Sequence, residues 1–238
     1  LGLGYWLYCA QGFNVEEIMN FEPELIIFDC DGVLIDSEVI ANRVNVEVLA
    51  GLGVEFTLEE YMERFVGVSL HDEVIEIEKL RKVKLPDDYE ARLMNHKYKV
   101  FDEELKAIEG IVDLVTSIKT PKAVASGSSP ERLEYTLKLT HLWELFAPHV
   151  YSTTLVPKSK PAPDIFLYTA DKFSIRPDKC LVIEDSTLGV RAGVVAGMTV
   201  IGFSGGSHIK DGHEEKLLEL GATKVFSKMQ DVVNWLQL

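Results

Sequence analysis

Three cysteines in 238 residues, at Cys9, Cys30 and Cys180, are too few and too widely spaced for a disulfide framework or a zinc site. That scarcity sets aside the small stapled scaffolds and points to a reducing, cytoplasmic home. Long apolar runs are missing too. Leu1 to Ala10 is apolar but far too short to span a bilayer, and with no leading Lys or Arg it makes a poor signal peptide. Basic residues are outnumbered by acids, 24 to 38, and the formal net charge of −14 excludes a nonspecific nucleic-acid binder or a binder of anionic membranes. An anionic substrate stays open, because a bound divalent ion reverses the sign of a pocket locally. No internal repeat, low-complexity tract or linker rich in Pro, Gly and Ser interrupts the chain.

What is present is an ordinary globular mix, 47% hydrophobic and 26% charged, in a chain long enough for one good core and a modest second module. Short apolar runs read as buried strands at Glu24–Phe28, Lys122–Ala125, Cys180–Ile183 and Thr199–Phe203, with Lys224–Phe226 a weaker fifth. Helical patterns lie between them, near 130–140, 163–173, 186–197, 212–220 and 228–236. Such alternation predicts an α/β fold with a doubly wound, mostly parallel sheet, whose sites lie at the carboxyl ends of the strands.

Roughly 95 residues separate the first two strong strands, where a simple strand–helix–strand unit needs about 30. The stretch 39–106 is rich in helix formers and acids, and Thr57 and His71 precede acidic first turns. It predicts a small helical domain inserted into a core formed by 21–38 and 107–238, placed over the sheet as a lid. Residues 1–20 read as an N-terminal extension with no assigned role, with Met19 a candidate natural start.

Four strand ends carry residues with chemistry to offer. After the first strand come Asp29 and Asp31, two apart and so pointing the same way, then Gly32, Val33 and Asp36-Ser37. Carboxylates that close repel, which calls for a cation between them. Asp-Gly alone is a common turn pair; the whole string behind a buried strand is not. After the second strand, Ser126-Gly127 precedes Pro130 at a helix start, where an OH and backbone N–H groups face an anion. Alone it would be a plain helix cap. Lys160-Pro161 then sets a lysine, held extended by the proline, just before a helix; alone it would be a solvated surface charge. After the third strong strand, Glu184-Asp185 offers oxygen ligands suited to Mg²⁺, although Asp185 alone would read as a helix cap. Four such ends in order are hard to explain as four separate caps.

Taken in order, Asp29-x-Asp31-Gly32, Ser126-Gly127, Lys160-Pro161 and Glu184-Asp185 resemble the four motifs of the haloacid dehalogenase-like (HAD) hydrolases over about residues 22–234. The long insertion falls where that family carries a helical cap. Phe65–Ser69, Ala107–Gly110 and Lys160–Phe166 are similar to strings in its beta-phosphoglucomutase and sugar-phosphate phosphatase branch, and Phe101–Gly110 is similar to 6-phosphogluconate phosphatases.

The resemblance implies Asp29 as nucleophile, forming an aspartyl-phosphate, and Asp31 as acid and then base. It implies Mg²⁺ held by Asp29, the Asp31 backbone carbonyl and Asp185, with Glu184 in the outer shell. Phosphate would be gathered by Ser126, Lys160 and the backbone N–H groups of Gly32, Val33 and Gly127. Asp31 favours phosphate-ester chemistry, since family dehalogenases and phosphonatases replace it. A His and an Arg used by beta-phosphoglucomutases are matched here by Ala41 and Leu70, which favours hydrolysis over mutase chemistry. His71 and Arg43 are possible substrate contacts in the cap, with Arg64 and Lys97 further candidates. The expectation is a Mg²⁺-dependent phosphatase, monomeric, acting on a small phosphorylated sugar or sugar acid and on neither nucleic acid nor membrane. A sugar phosphomutase and a noncatalytic regulator binding a phosphorylated ligand are the alternatives.

Overall fold

A computed structural model describes residues 21–65, 68 and 70–236. The expectations for 1–20, for Cys9 and for part of the Phe65–Ser69 string lie outside those residues. Cys30 and Cys180 are buried free thiols.

Six parallel strands form the core. β1 (Leu25–Phe28), β2 (Lys122–Ser126), β3 (Val150–Ser152), β4 (Cys180–Glu184), β5 (Thr199–Phe203) and β6 (Lys224–Phe226) lie in the order β3-β2-β1-β4-β5-β6. β1 pairs with β2 through Ile26↔Lys122 and with β4 through Leu25↔Cys180. Every residue of β1 is buried, as expected of a central parallel strand covered on both faces. Side-chain direction alternates. Ile26 and Phe28 join Val124, Ile183, Leu114 and Val232 in one core layer. Leu25 and Ile27 join Ala125, Val182, Phe166 and Val190 in the other.

Eleven α-helices and two short 3-10 turns lie among the described residues. Between β1 and β2 run α1 (Glu38–Gly51), α2 (Leu58–Phe65), α3 (Leu70–Arg81), α4 (Tyr89–Glu104) and α5 (Ile111–Ser117). The rest are α6 (Pro130–Leu139), α7 (Trp143–Phe146), α8 (Asp164–Lys172), α9 (Thr187–Val195), α10 (His213–Glu219) and α11 (Met229–Trp235). None is long and apolar enough to cross a membrane.

Helices α1–α4 share an apolar cluster of their own, built on Val44, Leu49, Phe56, Tyr61, Phe65, Ile77, Leu85 and Leu93. The chain enters and leaves this four-helix unit side by side. Ile35 and Ala107 form an antiparallel bridge, with Asp36 N donating to Lys106 O at 3.0 Å and Ile108 N to Leu34 O at 2.9 Å. The far end of α4 reaches the core. Phe101 and Leu105 join the first layer, and the Tyr98 ring lies 4.5 Å from that of Tyr135 on α6.

The sheet order reverses beside β1: β2 and β3 extend one way, β4 to β6 the other. In open α/β sheets the crevice at such a switch, at the carboxyl ends, is where ligands bind.

Candidate active site

The expected residues converge at that crevice. Asp29, just beyond β1, is 7% exposed. Its Oδ1 accepts from Lys160 Nζ at 2.6 Å, and the same ammonium donates to Glu184 Oε1 at 2.7 Å and to Ala125 O at 3.1 Å. Lys160 thus joins the ends of β1, β2 and β4. Burial disfavours its charge, but Asp29 and Glu184 outweigh that and raise its pKa. Glu184 is fixed from its other oxygen, which accepts from Ser186 N at 2.8 Å and Ser186 Oγ at 3.0 Å.

Helix caps explain why these side chains are free for other work. The N-cap of α9 is Ser186, whose Oγ accepts from Gly189 N at 3.0 Å, and so Asp185 does not cap. The N-cap of α6 is Ser129, with Pro130 behind it, which leaves Ser126 uncommitted to the helix. Gly189 is needed for a close approach: a Cβ there would lie 1.6 Å from Glu184 Oε1.

Asp29, Glu184 and Asp185, all buried, bring ligand oxygens within 4.8 Å of one another. Burial pushes the Asp29 carboxyl well above the ordinary range; Lys160 opposes this, and Glu184 and Asp185 reinforce it. Burial also pushes Asp185 up to about 7, against a hydrogen bond from His208. Three crowded carboxylates form an all-oxygen donor set of the kind that suits a hard divalent cation. Glu184, expected in the outer shell, stands beside the other two with both its oxygens already accepting, from Lys160 and from Ser186.

Asp31 is held differently. Ser37 Oγ and Arg132 Nη2 donate to its Oδ1 at 2.5 and 2.7 Å, and Ser128 Oγ donates to Oδ2 at 2.6 Å. Burial alone would raise its pKa, but Arg132, Ser128 and Ser37 together hold the carboxyl below its usual value.

The expectation for Gly32 needs correction. Its N–H donates to Ile35 O at 2.8 Å and closes the turn after β1, so it is not available to an anion. What the position requires is φ +82 and the absence of a side chain, since a Cβ would meet Asp185 Oδ2 at 2.0 Å. Val33 is buried behind the turn. Among the described residues, no acceptor faces the backbone N–H groups of Cys30, Asp31 or Gly127. Ser126 Oγ accepts from Ser128 N at 3.1 Å.

Sequence reasoning noted Ser37 only as part of the string after β1 and overlooked Ser128, Arg132 and His208. His208 Nε2 lies 3.0 Å from Asp185 Oδ2, in space cleared by Gly32 and Gly206. His213 Nε2 lies 2.6 Å from Asp185 O. Ser128 and Arg132 stand in the string after β2 and could have been flagged there as polar groups at a strand end. His208 has no local signal.

Of the candidates in the helical unit, His71 and Arg64 are exposed. Arg43 is spent on Glu47 at 3.1 Å and Glu104 at 2.5 Å. Lys97 alone is buried.

A parallel sheet with buried acids, one lysine and free N–H groups at its switch point defines an α/β enzyme that handles an anionic group. The haloacid dehalogenase-like hydrolase family model matches residues 26–203, and the chain belongs to that family. It is 30% identical over 192 residues to the 6-phosphogluconate phosphatase of Escherichia coli, covering 79% of this chain and 85% of that protein. It is 31% identical over 219 residues to a phosphorylated carbohydrates phosphatase of Thermotoga maritima, covering 90% and 98%. Among solved structures, a conserved haloacid dehalogenase-like protein of unknown function from Agrobacterium tumefaciens superposes with a TM-score of 0.78 at 37% identity, covering 90% and 97%.

Proposed function

We propose that the chain is a phosphatase that hydrolyses a small phosphorylated metabolite, a sugar or sugar-acid phosphate, through a covalent phosphate on Asp29. The observation that carries this is the Lys160 ammonium bound to Asp29 and Glu184 beside unpartnered N–H groups. The two similar phosphatases, each covered over most of its length, support it.

Lys160 holds Oδ1 of Asp29 and so turns the other oxygen toward the crevice. That oxygen attacks phosphorus, the P–O bond to the leaving group breaks, and phosphate is carried by the carboxylate. Charge spreading over the phosphoryl oxygens meets Lys160, the Ser126 hydroxyl and the N–H groups of Cys30, Asp31 and Gly127. Asp31, ionised in the free protein, passes to the leaving oxygen the proton that a monoanionic phosphomonoester brings with it, and later takes one from the water that cleaves the acyl phosphate. Asp29 and Asp185, with the Asp31 backbone carbonyl and with Glu184 in the outer shell, would hold Mg²⁺, which when bound supplies the charge that relieves repulsion between carboxylate and phosphate. Helices α1–α4, residues 39–106, serve as the cap. Ala41 is buried and Leu70 is apolar, so neither offers the polar contacts of a mutase.

Purified protein assayed with Mg²⁺ on a panel of phosphomonoesters releases inorganic phosphate. Asp29→Asn lowers kcat/KM by about a thousandfold or more while leaving the circular dichroism spectrum intact, and chelation abolishes turnover until Mg²⁺ is returned. Full activity in Asp29→Asn would sink the proposal. Tight ligand binding without turnover would favour the regulator, and isomerisation of a sugar phosphate without phosphate release would favour the mutase.

A further inference from the structure

Lys97 differs from every other cation of the four-helix unit. It is 9% exposed, on α4 one turn before Phe101. Among the described residues its ammonium has no hydrogen-bond partner and no carboxylate within ion-pair distance. A buried lysine without a partner is costly, because desolvation disfavours its charge. On the facing side, the Arg132 guanidinium carbon lies 5.8 Å from the Phe101 ring centroid. Arg132 spends Nη2 on Asp31, but its Nε is buried with no acceptor.

The nearby acids are turned elsewhere. Glu38 Oε2 accepts from Asn42 at 3.3 Å, and Glu73 is bonded to Tyr61 inside the unit, its Oε1 buried without a partner and beyond ion-pair distance of Lys97. The unmet hydrogen-bonding capacity of the two cations is donor capacity, from α4 and from α6, which meet through Tyr98 and Tyr135 and through Phe101 and Arg132. If Asp31 protonates the leaving oxygen, as the proposed function has it, Lys97 and Arg132 border the part of the substrate beyond that oxygen.

We infer that Lys97 and Arg132 form a receptor for a second anionic group on the leaving portion of the substrate, a carboxylate or a second phosphate. This rests on the phosphatase reading. It narrows the substrate class to phosphate esters with a charged tail and makes Lys97 a specificity residue. One charge-assisted bond in a partly desolvated site is worth about tenfold in affinity or more.

The test compares 6-phosphogluconate (carboxylate tail), fructose 1,6-bisphosphate (second phosphate) and glucose 6-phosphate (no second charge). Wild-type enzyme prefers at least one charged-tail ester, and the better of the two identifies the tail. In Lys97→Met the ratio of kcat/KM for that ester over glucose 6-phosphate falls about tenfold or more, chiefly through KM. Glu73→Gln keeps the preference. Equal wild-type kcat/KM for charged and uncharged tails would overturn the inference, as would an equal loss on every ester in Lys97→Met. Calorimetric binding of the same esters to Asp29→Asn is read independently of turnover. Preference for the charged tail there, lost in Asp29→Asn/Lys97→Met, upholds the receptor even if no ester is hydrolysed and the phosphatase reading falls. No preference there refutes the receptor.

Discussion

Lys160 and Lys97 are both buried lysines, and the structure treats them in opposite ways. Lys160 lies between two carboxylates, so its charge is kept and the three groups hold one another in place. Removing one member of such a set strands the others, which costs about 3–5 kcal/mol in comparable cases. Lys97 has burial and the Arg132 charge acting against it, and its pKa is pushed down to about 8; Glu73, Glu38 and Asp31 only partly offset this. These four groups, on α6, α3, α1 and the end of β1, are the charges it senses. Below pH 8 the folded protein carries this strain, and the unfolded chain does not. Between about 8 and the ordinary lysine value near 10.5 the unfolded state binds more protons, so stability conferred at this position rises with pH. Thermal melts should therefore show Lys97→Met with a Tm a few degrees above wild type at pH 7, the gap closing as pH is raised toward 10. A gap that widens with pH would contradict the account. A buried lysine that weakens the fold and lies within the field of Asp31 and Arg132 fits the function proposed for it.

At the scale of elements, the chemistry depends on how closely helix α9 lies against β4. Gly189 and Gly193 make that possible: a Cβ on Gly193 would come 2.7 Å from Val200, and one on Gly189 would collide with Glu184. Gly189→Ala forces Glu184 to swing and release Lys160, or α9 to lift from the sheet. Either way, calorimetry should show a Tm lowered by several degrees, and kcat/KM should fall about a hundredfold or more. Unchanged melting and unchanged rates would refute the close-packing argument.

Which elements could be read beforehand follows from their length and surroundings. β1, β2, β4 and β5 are buried apolar runs of four or five residues, and β6 shows its weaker nature in three partly exposed ones. β3 is three residues long behind Ala147-Pro148 and half exposed, too short to show a period. Helix α5, seven residues between the insertion and β2, was hidden in the gap that suggested the insertion. The four motif residues were legible because each directly follows a strand. Arg132 reaches Asp31 across 101 positions, and Lys97 is buried by the packing of separate helices; one chain read alone carries neither fact.

At the scale of the whole molecule, chemistry sits on the core, and recognition is divided between the core, through Arg132, and the inserted helices. Every group proposed to touch the phosphoryl centre comes from the ends of β1, β2 and β4 or from Lys160. Lys97, the group proposed to sort substrates, comes from the inserted helices. The two parts are tied near the crossing. On the core side of the bridge between Ile35 and Ala107, Asp36 Oδ1 accepts from Ser207 N at 3.1 Å and Ser207 Oγ at 2.7 Å, and Lys210 in the same loop reaches Glu59 and Glu63 of α2 at 4.0 and 3.9 Å. Motion of the helical unit is thus felt one residue from His208, the neighbour of Asp185.

The insertion also has a consequence for how the chain finds its fold. β1 has no sheet partner close in sequence. Both its neighbours, β2 and β4, come after the helical unit, so pairing must close a long loop before any hydrogen bond repays the lost entropy. The four helices have their own apolar cluster, and the strands at their base meet antiparallel at Ile35 and Ala107. Once assembled, the unit brings the end of β1 and the approach to β2 together and shortens the search to the few residues on either side. Pulsed hydrogen exchange during refolding should accordingly protect amides of α1 and α4 before those of β1 and β4. Protection of the central strands first would reverse the order. The segment that selects the substrate then also serves as the staple on which the catalytic sheet is assembled.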